Sequence, residues 1–190
     1  MTAIKKKRHL RICQGDIFRE IEYIEFVREK RGILEVSKIV FPYVVVLTQD
    51  CDLKQDYSFR EPTEESGKTQ DKLLISVLVA PLYNAEHVYL GEHMSDLGMK
   101  MEPVNRKRSP GTYLRLNERP RYHYLSFPQS SPLVDSVVDF KHYFSVNVSY
   151  LLRMRAHNYI CTVAPLHRED LSVRFAGYLA RIGLPEPSVS

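Results

Sequence analysis

The sequence predicts a mainly β (α+β) chain: a small curved barrel with extra strands and one late helix, forming a single domain over residues 1–190. Three observations carry this expectation. Residues 43–48 (Tyr-Val-Val-Val-Leu-Thr) and 73–80 (Leu-Leu-Ile-Ser-Val-Leu-Val-Ala) are solid apolar, β-branched runs, as strands covered on both faces require. Several shorter runs are separated by Pro, Gly and polar breaks. Only one stretch, residues 168–182, repeats its apolar side chains clearly at helical spacing.

Taken in order, residues 16–27 interleave Glu20, Glu22 and Glu25 with Ile21, Tyr23, Ile24 and Phe26. A strand with one wet face explains this better than a helix, although Ile17, Ile21 and Ile24 also fit a helical stripe. Glu29-Lys30-Arg31-Gly32 reads as a turn and residues 33–40 as the returning strand of a hairpin. Pro42 is expected to break that strand, because it cannot donate to a ladder. Residues 43–48 then form a core strand that stops at Gln49-Asp50-Cys51-Asp52. Residues 55–70 read as a loop, and 73–80 as the next core strand, closed by Pro81. A short helix with loops is expected within 83–104, and an exposed loop at 105–111. A second hairpin follows at 113–116 and 121–127, then a strand at 133–140 and a short helix at 144–154. Residues 159–163 are the last strand. The late helix aligns Leu171, Phe175, Leu179 and Ile182, with Glu169 and Asp170 in its first turn and Arg181 in its last. Gly183 and Pro185 supply its stop.

Composition narrows the function classes. The chain is 44% hydrophobic and 26% charged, which excludes a disordered chain. Its longest apolar run is too short for a bilayer, and no apolar segment follows the basic start (Lys5, Lys6, Lys7, Arg8, Arg11) as a secretory signal needs. No membrane partner is expected, and the expected location is cytoplasmic. Cys13, Cys51 and Cys161 lack CxxC spacing, which argues against a disulfide framework and a zinc knuckle. No HxH or HxxxH pair, P-loop, GxGxxG or GxSxG motif occurs, so no cofactor is predicted.

The net charge of +4 is small but segregated. Arg106, Lys107, Arg108, Arg115, Arg119 and Arg121 face only Glu118, while acids gather at residues 16–29 and 61–65. Cations beside Tyr113, Tyr122 and Tyr124 are what a single-stranded or RNA groove requires, phosphates on the charges and bases on the rings. Alternation along Arg121-Tyr122-His123-Tyr124 places both tyrosines on one face of a strand. The plainer account packs those tyrosines in the core and leaves the arginines solvated. Asp50-Cys51-Asp52 is the other pointed group. An extended backbone puts both carboxylates on one face, where they could share a divalent metal such as Mg²⁺ or Ca²⁺. The plainer account is a strand end whose aspartates cap a turn, with Cys51 buried.

Gln14-Gly15-Asp16-Ile17, followed about thirty residues later by Val44-Val45-Val46-Leu47-Thr48-Gln49-Asp50, resembles the PemK/MazF-like superfamily, whose best-known members are toxin endoribonucleases. Residues 73–82 stand where that family has its next core strand. The resemblance covers roughly residues 12–82; residues 105–166 would be additional β elements and 168–183 the extra helix. It implies an SH3-like barrel, with homodimerisation as one arrangement; separately, the tail from Arg168-Glu169-Asp170-Leu171-Ser172 through Arg181-Ile182-Gly183-Leu184-Pro185 resembles bacterial and phage-associated proteins of toxin or defence loci. The sequence departs from the family at Phe41, which precedes Pro42 where the toxins carry an arginine used in RNA cleavage. No catalytic residue is therefore carried over.

Three readings follow. The leading one is a nucleic-acid-binding module, RNA favoured, using Arg106, Lys107, Arg108, Arg115, Arg119, Arg121, Tyr122 and Tyr124 together with the N-terminal cluster Lys5, Lys6, Lys7, Arg8 and Arg11. The second is a divergent endoribonuclease, for which Arg19, Asp50 and Asp52 are the groups to test. The third is a non-catalytic subunit that works by protein contact, docking through the acidic face at residues 20–29 and the extra helix.

Overall fold

The structure, a computed structural model, describes residues 1–6, 9–60, 69–106 and 113–181. Lys7, Arg8, Lys107, Arg108, the acidic cluster at 61–65, Ile182, Gly183 and Pro185 lie outside the described residues. The fold is mainly β, as expected. Among the described residues eight strands form one antiparallel sheet: β1 (Ile4–Lys5), β2 (Asp16–Lys30), β3 (Ile33–Val46), β4 (Ser76–Asn84), β5 (Tyr122–Leu125), β6 (Ser136–Asp139), β7 (Phe144–Asn147) and β8 (Tyr159–Val163). Their spatial order is β1-β8-β2-β3-β4-β6-β5, with β7 also on β4. The sheet curls until its two ends meet, where the Thr2 N–H donates to the Ser126 carbonyl at 2.6 Å.

The β2–β3 hairpin forms as expected, with Arg31 and Gly32 both at positive φ in its turn. Pro42, however, does not end the strand; β3 runs through it to Val46. The residue facing Pro42 is Glu20, which takes a left-handed φ of 55°. One hydrophobic cluster holds Phe18 and Val44 and then Ile21 and Phe41, a step of three residues where a regular strand repeats every two. The paired distortion at Glu20 and Pro42 thus rotates the ribbon and returns its apolar face to the core. Beyond it, residues 22–40 project as a two-stranded arm with Ile24, Val27, Leu34 and Val36 exposed.

Pro81 likewise does not close its strand. β4 continues to Asn84, and its outer edge changes partner around the proline, pairing with β7 at residues 76–79 and with β6 at 82–84. A residue without an N–H suits a point where the ladder must break. The chain between β6 and β7 bulges there as a 3-10 turn, Phe140–His142.

Among the described residues four α-helices cover the sheet: α1 (Asp50–Arg60), α2 (Ala85–Leu90), α3 (Val148–Asn158) and α4 (Pro165–Leu179). Where a strand end and a loop were expected, α1 forms, with Asp50 and Asp52 in its first turn and Arg60 bonded back to Asp56. The stretch expected as one helix at 144–154 divides: β7 comes first, and Asn147 then caps α3 by accepting from the N–H groups of Ser149 and Tyr150. The second hairpin expected around 117–120 does not form. Residues 113–117 are turns, and β5 pairs with β6 instead. The late helix starts at Pro165, so Glu169 and Asp170 fall in its second turn. Leu171 and Phe175 are buried against Ile17, Val45 and Phe140, while Leu179 is exposed. On the opposite sheet face, Leu53 of α1 and Leu151 of α3 pack on Phe18, Val44 and Val79. A third cluster joins Val88 and Tyr89 of α2 to Tyr122, Tyr124 and Val137.

Candidate functional site

Asp50 opens α1 beside the N-terminal segment. Arg11 grips it with two hydrogen bonds, 3.0 and 2.8 Å, Gln14 N–H donates at 3.2 Å, and Arg168 of α4 approaches to 3.4 Å. Burial alone would raise the Asp50 carboxyl; the bond and charge of Arg11, with Arg168 and Gln14, outweigh it and hold the group below its ordinary value. Next to it Asp16 is fully buried, accepting from Cys13 N–H at 2.8 Å and the Thr162 hydroxyl at 2.5 Å. Burial pushes Asp16 up to about 6 despite those two bonds. Gly15, at φ 79°, allows this turn, and a Cβ there would stand 3.2 Å from Arg168 Cβ. The cluster therefore ties three segments together: the N-terminal loop, α1 and α4.

The three residues nominated for catalysis do not form one centre. Two positions apart on a helix, Asp50 and Asp52 point about 200° apart, so the shared face expected of an extended backbone is absent. Asp52 and Cys51 are both exposed, and Cys51 is not the buried hydrophobe of the plainer account. Arg19 donates to the His157 carbonyl, and no hydrogen bond or ion pair among the described residues joins it to either aspartate. Among those residues no group of three His, Cys, Asp or Glu side chains is placed to hold a metal ion.

The basic segment is organised differently from the expectation. Tyr122 and Tyr124 do share one strand face, but that face is the third cluster, where their rings are 9% and 8% exposed. They are core residues and offer no open ring to a base. Arg115 lies over the Tyr124 ring at 5.9 Å, and Arg106 pairs with Glu86 and covers the Tyr89 ring at 4.2 Å. Arg119 and Arg121 remain beside a cavity of about 240 Å³, and Arg181 enters it from the end of α4, with Glu102, Pro120 and Tyr122 as further walls. Arg181 is held over the Tyr178 ring at 3.9 Å and donates to the Tyr178 carbonyl. Three arginines from two distant segments thus line one cavity with Glu102, and Arg121 is already paired with the buried Asp139.

Sequence reasoning missed Asp139. It is 0% exposed and accepts from Arg121 Nε and Nη2 at 2.8 and 2.6 Å, from Lys141 N–H, and from His142 Nδ1 at 2.9 Å. Burial would raise its pKa, but Arg121 and His142 overcome that and bring it down to about 2. A signal existed: a carboxylate inside Val137-Val138-Asp139-Phe140 must be paired, because an isolated buried charge is prohibitively costly. His142 and the α4 residue Arg181 carried no such signal.

No helix among the described residues is long and apolar enough to cross a membrane. No protein-family model matches the sequence, and neither does any curated protein or solved structure.

Proposed function

We propose that this chain is a nucleic-acid-binding module, a PemK/MazF-like SH3-type barrel, that holds the phosphates of single-stranded nucleic acid, RNA before DNA, in a toxin- or defence-type setting. The observation that carries the reading is the cavity lined by Arg119, Arg121 and Arg181. Guanidinium forks match phosphate oxygens, and a concave cluster of them attracts a polyanion from a distance. Arg121 is preset by Asp139, so its orientation is fixed before a ligand arrives.

Fluorescence anisotropy with labelled single-stranded RNA, single-stranded DNA and duplex DNA tests this, each at two salt concentrations and followed by a denaturing gel. Affinity for single strands should fall steeply with salt, since each neutralised phosphate releases counterions. Arg119→Glu and Arg181→Glu should each weaken binding about tenfold. Unchanged affinity in both variants overturns the assignment, and cut RNA turns it into the endoribonuclease. A second reading, the protein-contact subunit, draws on the projecting arm: exposed Ile24, Val27, Leu34 and Val36 form a patch of the kind that marks interaction sites.

A further inference from the structure

The projecting arm has a strand edge without a partner. β3 pairs with β2 along nearly its whole length, but on its other side β4 reaches only Val44, Val45 and Val46. Among the described residues no strand covers that edge over residues 33–43. A two-stranded ribbon is marginal by itself in water, and a long open edge is a template for another strand. The outer edge of β2 is less suited, because its register breaks between Ile24 and Phe26.

The open edge of β3 leads into a cavity. Where β3 parts from β4, Ile39, Phe41 and Pro42 line a space of about 320 Å³ with Tyr83, Met94 and Leu97. Glu92 and Asp96 stand exposed on its wall, and no Lys or Arg among the described residues lines it. Neither acid has an ion pair among the described residues. The tip of the arm has the complementary character. Ile33 and Leu34 are 67% and 65% exposed, and Lys30 and Arg31 beside them are exposed with no ion pair among the described residues.

We propose that two copies of this chain pair antiparallel along this edge, β3 on β3, each arm laying its tip at the cavity of the other copy. A two-fold axis through the joined sheet keeps the residue faces matched, so the pairing must centre on one residue and its own copy. Centred on Val36, it sets Ile33 opposite Ile39, Leu34 opposite the stem of Lys38, and Glu35 opposite Ser37. Arg31 and Lys30 then fall opposite Phe41 and Pro42, at the cavity that holds Glu92 and Asp96. Centring on Glu35 opposes two carboxylates, and centring on Ser37 sets Glu35 against Ile39. The product is one four-stranded sheet in which Val27 and Val36 of both copies lie side by side. Such a contact is isologous and closes at two copies. None of these residues lines the cavity of Arg119, Arg121 and Arg181, so the pairing stands apart from the nucleic-acid reading.

Sedimentation velocity of the full-length protein over a range of concentrations, without nucleic acid, tests the pairing. A reversible equilibrium between monomer and dimer is expected. Two double variants change exposed charges only. Lys30→Glu with Arg31→Glu gives the tip the sign of the cavity, and Glu92→Lys with Asp96→Lys gives the cavity the sign of the tip. Each by itself should dissociate at about tenfold higher concentration. An equimolar mixture of the two should dimerise like the wild type, because each tip then meets a cavity of opposite sign. Val36→Lys, at a position 50% exposed in the single chain, sets two ammonium groups side by side. It should abolish the dimer and leave the far-ultraviolet circular dichroism unchanged. A monomer at every concentration overturns the proposal and leaves the edge to a different protein. A dimer that survives Val36→Lys, or a mixture no tighter than either double variant, overturns it as well.

Discussion

The molecule contains two carboxylate hubs built alike and buried differently. At Asp50, Arg11 makes a fork of hydrogen bonds and Arg168 adds a second charge, with all three side chains between 21% and 26% exposed. At Asp139, Arg121 makes the same fork and His142 stands in the second place, but the carboxylate sees no solvent. Exposure changes what such a hub can do. Water screens the Asp50 pairings, so they join three chain segments at modest net gain. Asp139 has no water to fall back on, so its partners must stay in place, and this fixes Arg121 beside the cavity it shares with Arg119 and Arg181. The hub that looked functional in the sequence is a structural tie, and the one hidden in an apolar run holds one arginine of the candidate binding surface.

Removing each carboxylate tests that contrast. Asp139→Ala strands a partly buried guanidinium and should cost about 3–5 kcal/mol in urea unfolding. If it costs no more than a surface substitution, the two hubs are equivalent and the comparison fails. Acid sharpens the contrast. Asp139, depressed to about 2, adds stability that is present above the ordinary carboxylate value near 4 and lost as pH falls toward 2. Asp16, beside the Asp50 hub and raised to about 6, acts in the opposite sense: its contribution is complete below its unfolded value and lost as pH rises through 6. The stability of the wild type relative to Asp16→Asn should therefore decline between about pH 4 and 6 and level off above. His123, lowered to about 3 by burial and by Arg174 and His167, slopes the other way over the same interval, so only the difference between the two proteins isolates Asp16. A flat difference would mean that Asp16 does not titrate in that window. The smallest effect is expected at Asp50→Ala, about 1 kcal/mol, and it should shrink further in high salt, whereas the Asp139 effect should not.

Much of the fold was legible because it depends on local pattern. The β-branched runs declare themselves within 43–46 and 76–80, although Leu73, Leu74 and Ile75 precede the strand rather than belong to it, and the hairpin turn at Arg31-Gly32 and the strand Tyr159–Val163 follow from side-chain period and turn chemistry alone. The failures came where a residue's local meaning depended on its partner. Pro42 and Pro81 read as strand ends, yet each sits where a neighbouring strand demands no N–H. Tyr122 and Tyr124 read equally well as stacking platforms or as core, and only the packing of α2 against β5 and β6 decides for core. Asp50 read as the end of a strand, whereas Leu53 needed a helix to reach Phe18 and Val44.

The sequence by itself determined a mainly β chain with a late amphipathic helix and a segregated positive charge, because periodicity, β-branching and charge count are properties of neighbours along the chain. Only the tertiary structure decided which arginines line a cavity, which carboxylate is buried, and that Lys141 and His142 line one cavity while His93 lines another. Those facts depend on pairs such as Arg121 with Asp139, eighteen positions apart, and on Arg181 reaching Arg119 and Arg121 from the far end of the chain. No local signal encodes them, since the energy that sets them is the cost of burying a charge without its partner, and that cost arises only once the sheet has curled.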